Sequence, residues 1–148
     1  MSAVINAIEI FNITTIALMS GIYLIFSNTV IPSFKALSGK AGAVAMVKIN
    51  KVILNPIFYL VFFGSTLSSV ILLFLEQDLL ETIAHITFII GMFIVTVIFN
   101  VPLNNKLMHA ADHNEHIEEV WAFYAEKWLL WNHVRTITST VAIILLVI

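Results

Sequence analysis

The chain has 148 residues, 60% hydrophobic and 11% charged, with a net charge of −2 and a mean hydropathy of +1.01. Soluble domains run at about 45–50% apolar and about 25% charged, so this is a chain for lipid, and its length suits one domain. It has no basic cluster for a nucleic acid, and no cysteine, which excludes disulfides, thiolate catalysis, iron–sulfur clusters and cysteine-based zinc sites.

The first uncharged run extends from Ile10 to Phe34, ending near Pro32. A spanning helix needs about 20 apolar residues. No Lys or Arg precedes the run and it is too long for a signal-peptide core, so it reads as a retained first span over about residues 7–31. Ala17 and Gly21 form a small-xxx-small pair suited to close helix approach. Lys35, Lys40, Lys48 and Lys51 follow in a short loop with room for a surface helix. The second span, residues 52–75, opens on Asn55-Pro56, a helix-start pair because proline fits a first turn. Gly64/Ser68 and Ser65/Ser69 repeat the small-residue spacing, and these faces of the first two spans are available for a homo-oligomer. A tight acidic turn, Glu76 to Glu81, leads to the third span, residues 82–104. A polar excursion, 106–127, reads as helical, and the fourth span covers 128–148.

The fold class expected is all-α: an integral-membrane, up-down-up-down four-helix bundle forming a single domain. Lys and Arg gather in loops one and three, which places those loops in the cytoplasm and both termini on the opposite side.

The end of the third span is Asn100-Val101-Pro102-Leu103-Asn104-Asn105. Amides cost about 2–7 kcal/mol in hydrocarbon without partners, so this stretch should face protein. Pro102 removes a backbone donor there. The topology brings Asn100 and Asn104 to the same end as Asn50 and Asn55 of the second span, Ser27 and Asn28 of the first, and Trp128, Asn132 and Arg135 of the fourth. The last three share one helix face. The expectation is a polar cup at the cytoplasmic end, with the other half nearly pure hydrocarbon. Arg135 inside a span marks function or snorkels to the interface. His133 lies on a different face from Arg135 but is the one histidine near the cup.

His109, His113 and His116 follow an i, i+4, i+7 pattern that can converge on zinc or copper, or can be the solvated face of an amphipathic helix. Phe58/Phe62 and Tyr59/Phe63 can line a pocket for a planar ligand, or pack the core and meet lipid. The methionines form no copper motif.

Gly21 with Tyr23-Leu24-Ile25-Phe26-Ser27, Lys48-Ile49-Asn50-Lys51 with Asn55-Pro56-Ile57-Phe58, the block from Asn100 to Leu107, and Trp121, Trp128 and Trp131-Asn132-His133-Val134-Arg135-Thr136 together resemble the DUF1772, or anthrone-oxygenase-like, family over nearly the whole chain. The resemblance implies a small four-helix membrane protein. Some fungal members resemble oxygenases that turn polyketide anthrones into anthraquinones. Asn50, Asn55, Pro56, Asn100, Pro102, Asn104, Trp128, Asn132 and Arg135 match the shared pattern; the histidine stripe does not.

The residues leave three readings open. The first is an oxidoreductase acting on a planar apolar carbon acid, with His133 as base and Arg135, Asn100 and Asn104 as donors to an oxyanion. Asn50, Asn55, Phe58, Trp128 and Asn132 would bind substrate. This chemistry requires no cofactor, with a transition metal at His109, His113 and His116 as the variant. The second is a non-catalytic protein whose cup binds a lipid or quinone-like molecule. The third is an asparagine network that only locks the helices.

Overall fold

The computed structural model describes residues 2–75 and 78–148. Glu76 and Gln77 of the acidic turn lie outside the described residues. Four helices are long and apolar enough to cross a membrane: α1 (Ala3–Lys35), α3 (Pro56–Leu75), α4 (Leu79–His113) and α5 (Ile117–Val147). A fifth, α2 (Gly39–Val52), lies between the first two spans. The described residues contain no strand.

The spans form a closed ring in which α1 packs on α3 and α5, and α4 on α3 and α5. Across the diagonals, α1–α4 and α3–α5, no two Cα atoms come within 8 Å among the described residues. This is the antiparallel bundle that short connections dictate. α2 buries Gly42, Ala43, Met46 and Val47, a single face, and leaves Lys40, Lys48 and Lys51 exposed. That face covers the loop end of the bundle through Trp121, Tyr124, Ala125 and Trp128 of α5 and Leu107 of α4. Gly42 is obligatory there, because a Cβ would lie 2.6 Å from the Phe34 carbonyl and 2.9 Å from the Trp121 ring. A second core cluster fills the termini half, with Ile16, Met19, Tyr23, Phe62, Phe88, Met92 and Ala142.

Three wide i→i+5 turns interrupt the spans: Phe26–Val30 in α1, and Ile89–Ile94 and Thr96–Asn100 in α4. Two of them end two residues before a proline, Pro32 and Pro102. A proline gives no N–H to the carbonyl four residues back, and its ring crowds that carbonyl. Widening the preceding turn relieves both problems without breaking the helix.

Several expectations need correction. The excursion at 106–127 is helical on both sides of one turn, and its helices continue the spans: α4 runs on to His113 and α5 begins at Ile117, turning through Asn114 and His116 at positive φ (53° and 46°). The termini half is not pure hydrocarbon. Asn12 is fully buried and its Nδ2 donates to Ser68 Oγ (2.8 Å), Ser69 Oγ (2.9 Å) and the Ser65 carbonyl (3.2 Å), while His85 and Ser139 are also buried. Ala17 and Gly21 are exposed, and a Cβ on Gly21 would meet nothing within 4 Å, so this pair joins no helices within the chain.

Candidate functional site

A cavity of about 350 Å³ lies where the two core clusters meet. α1 supplies Ile22, Tyr23 and Phe26 to its wall; α2 supplies Met46, Ile49, Asn50 and Lys51. From α3 come Phe58, Tyr59, Phe62 and Phe63, from α4 Phe93, Thr96, Val97, Asn100, Val101 and Asn104, and from α5 Trp128 and Arg135. The size falls in the usual range of small-molecule sites, about 300–1,000 Å³, and the wall is mostly apolar and aromatic with a few polar groups.

Arg135 is the centre of the polar part and is 4% exposed. Its guanidinium sits between two rings, 4.4 Å from the Tyr23 centroid and 4.9 Å from that of Trp128. Nη2 donates to Asn132 Oδ1 (2.7 Å) and Nη1 to Thr96 Oγ1 (3.2 Å). Asn132, fully buried behind it, donates from Nδ2 to Ser27 Oγ and to the Tyr23 carbonyl, both at 2.7 Å. The wide turns matter here: Ser27 lies in the one before Pro32, and Thr96 and Asn100 bound the one before Pro102. Among the described residues no carboxylate pairs with Arg135. A desolvated cation held only by neutral partners attracts an anion strongly.

Eight buried side-chain polar atoms make no well-aligned hydrogen bond among the described residues, and five of them belong to cavity-lining residues: Tyr23 Oη, which lies beside Thr96 and Arg135, Asn50 Nδ2, whose side chain lies beside Tyr124, Asn100 Oδ1, Trp128 Nε1 and Arg135 Nε. Buried polar groups are ordinarily paired, so this concentration marks a place for a ligand or for ordered water. Three are obligate donors, the tyrosine hydroxyl can donate, and Asn100 Oδ1 accepts. Asn100 uses its amide on the Trp128 carbonyl (3.3 Å), and Asn104 Oδ1 accepts from Tyr124 Oη (2.9 Å).

The structure thus brings Asn50, Phe58, Asn100, Asn104, Trp128 and Arg135 into one wall, with Asn132 directly behind it. Other candidates fall elsewhere. His133 is exposed on the outer face of α5 and does not line the cavity, because two residues along a helix is a rotation of about 200° from Arg135. Asn55 is exposed and caps α3, its Oδ1 accepting from the N–H groups of Ile57 and Phe58 at 3.1 Å. Asn28 is exposed. His109 and His113 stack at 4.2 Å on α4, but the helix ends there and His116 begins the next one, which breaks the stripe. Among the described residues no group of three or more metal-ligating side chains converges. The cavity wall itself carries no His, Asp, Glu or Cys, so its donor set does not fit a transition metal.

Sequence reasoning missed Tyr23 and Thr96 as site residues. Ile16, Met19 and Tyr23 repeat at helical spacing on the inner face of α1, a signal that could have placed the tyrosine inside. Thr96 has no such signal, because the wide turns on either side of it displace the simple helical register.

A model of the family described as anthrone oxygenase matches residues 25–145. The chain belongs to the anthrone oxygenase family. No functionally curated protein and no solved structure matches it at a significant level. The matched span begins just before the Phe26–Val30 turn and takes in every polar residue of the cavity except Tyr23.

Proposed function

We propose that this member of the anthrone oxygenase family is a membrane-embedded oxygenase that captures the enolate of a planar, apolar carbon acid in the cavity and hands it to dioxygen. The observation that carries the reading is the cluster of five polar atoms without a well-aligned hydrogen bond, one on a guanidinium with no carboxylate partner and four on other side chains of the same, mostly apolar and aromatic, wall. Donors fixed in a dry site stabilise charge that develops on an oxygen. Tyr23, Asn50, Trp128 and Arg135 are such donors. Asn100 Oδ1 would accept from a hydroxyl on the ligand.

The overall reaction balances without a cofactor. A ring CH2 loses one proton to water before the enolate is bound, and the enolate gives an electron to O2. Recombination then gives a peroxide, to which a proton from water returns, and loss of water leaves a carbonyl: CH2 plus O2 becomes C=O plus H2O. With no imidazole or carboxylate in the wall, the site favours capture of the enolate over its generation by a side-chain base. The aromatic box of Phe58, Phe62, Phe63 and Phe93 suits a flat hydrocarbon body, since Phe62 contacts Phe58 at 5.6 Å and Phe93 at 5.8 Å.

Oxygen uptake by purified protein supplied with an anthrone tests this. The expected outcome is acceleration over the uncatalysed rate. Arg135→Met should lose about a hundredfold or more, in line with removal of an oxyanion donor. His133→Ala should stay within about twofold of wild type, as an exposed surface change does. No acceleration with any anthrone overturns the proposal.

The same lack of an acid–base side chain favours a second reading, a binder of a quinone-like or lipid molecule through its carbonyl oxygen. A quinone or lipid retained by wild type and lost from Arg135→Met, with no oxygen uptake, would select it.

A further inference from the structure

We infer that the cavity is loaded sideways, from the hydrocarbon of the bilayer, through a slot between the first half of α3 and the second half of α4. The inference rests on the cavity being a ligand site but not on the reaction proposed for it.

The slot follows from how the two helices pair. Among the described residues, the α3 backbone approaches that of α4 along Leu79–Ile94, whereas from Thr96 to His113 no Cα of α4 comes within 8 Å of one in α3. On the α4–α5 and α1–α5 edges of the ring the helices stay together at this level. α5 packs on α4 through Thr96–Asn100 and Val101–His113, and on α1 through Phe26–Val30, while α2 covers the loop end. The parting of α3 from α4 begins at the wide turn over Thr96–Asn100.

The residues on both lips carry the argument further. Leu54, Tyr59 and Phe63 on one side, and Val97 and Val101 on the other, line the cavity and yet are 41–56% exposed. A side chain that is both cavity wall and outer surface marks an opening. All five are apolar or aromatic, and no charged residue occurs between Val52 and Leu75 or between Thr82 and Asn105. This opening therefore faces lipid tails. Lys51 and Asn105 stand at its loop end, where the chain meets the headgroups. Deep in the slot lie Phe62 and Phe93, and beyond them Tyr23 and Arg135.

The ligand class is thereby narrowed. It partitions into the membrane, is thin enough to pass between two helices, and carries an acceptor oxygen on one edge. That edge leads toward Arg135 while the hydrocarbon body remains among the phenylalanines.

The experiment uses the full chain in lipid vesicles, with 1-hydroxyanthraquinone as probe and quenching of tryptophan fluorescence, to which Trp128 in the wall contributes, as readout in stopped flow. Sideways entry makes the association rate follow the probe's mole fraction in lipid, so added empty lipid slows it at fixed total probe. Narrowing the slot with Val97→Phe plus Val101→Phe should slow association and dissociation together, each by about fivefold or more. Leu60→Phe, on the lipid face of α3 outside the cavity, is the control and should change neither rate. An association rate that follows the free aqueous probe, or slot variants that leave both rates unchanged, overturns the inference. So does the absence of probe-dependent quenching. The oxygenase reading fails independently, by absence of oxygen uptake from a protein that still binds the probe.

Discussion

An arginine within a membrane span costs about 2.5–3.5 kcal/mol on insertion scales, and Arg135 accepts that cost with neutral partners alone. Its position is set by Asn132, whose side chain joins the guanidinium to α1 through Ser27 and the Tyr23 carbonyl. Asn132→Leu would strand those groups. Each buried group left unpaired costs about 1–3 kcal/mol, so a marked fall in the thermal midpoint in detergent is expected, together with loss of ligand binding. Arg135→Lys should not substitute: an ammonium cannot lie flat between the Tyr23 and Trp128 rings while donating to both Asn132 and Thr96. Binding of an anionic ligand measured against Arg135→Lys should fall about tenfold or more, which is about 1.4 kcal/mol. Equal binding by the lysine variant would show that charge alone suffices.

The helices owe their local shape to a few residues. Pro102 forces the wide turn that carries Thr96 and Asn100, and Gly91 lets α4 lie directly on Thr138 of α5. Relief of the proline restriction in Pro102→Ala would let the turn tighten to ordinary i→i+4 bonding. That shifts the register of everything beyond it and rotates Asn104 away from Tyr124. The expected result is a protein that folds as well as wild type or better, by thermal melt, but binds ligand weakly. Retained binding would show that the wide turn is incidental. At Gly91 a Cβ would overlap the Thr138 side chain, so Gly91→Ala should destabilise by about 1–3 kcal/mol. Adding Thr138→Ala should restore most of that loss, and a double-mutant cycle measures the coupling.

At the scale of the whole molecule the bundle is asymmetric. One end carries α2, the lysines and the cavity, and the other carries both termini and the Asn12 network. Charge asymmetry orients membrane proteins, and Lys35, Lys40, Lys48, Lys51, Lys106 and Lys127 all lie toward the cavity end, on α2 or on the loop-side parts of α1, α4 and α5. We therefore expect that end to face the cytoplasm. The chain lacks cysteine, so Lys40→Cys gives a single clean label site. In intact cells an impermeant thiol reagent should reach it only after the membrane is opened. Labelling from outside would reverse the orientation and place the cavity at the other leaflet.

The spans were legible because hydrocarbon demands long uncharged runs. Their antiparallel order was legible because the loops are short. Arg135, Asn100 and Asn132 stood out in the sequence because amides and guanidinium groups are rare and costly in lipid. What the residues alone could not place was anything depending on rotation about a helix axis. His133 lies outside and Tyr23 inside, Asn55 caps a helix rather than lining a wall, and the histidine stripe is cut by a turn at Asn114. The sequence by itself determined a four-span membrane helix bundle with its polar groups gathered toward one end, since solvent and backbone hydrogen bonding leave little other choice. Only the tertiary structure decided which of those groups share a cavity, that five of their atoms lack a well-aligned hydrogen bond, and that α3 and α4 part beside them. Those depend on the two wide turns and on helix-to-helix fit, which long-range packing sets and no local pattern records.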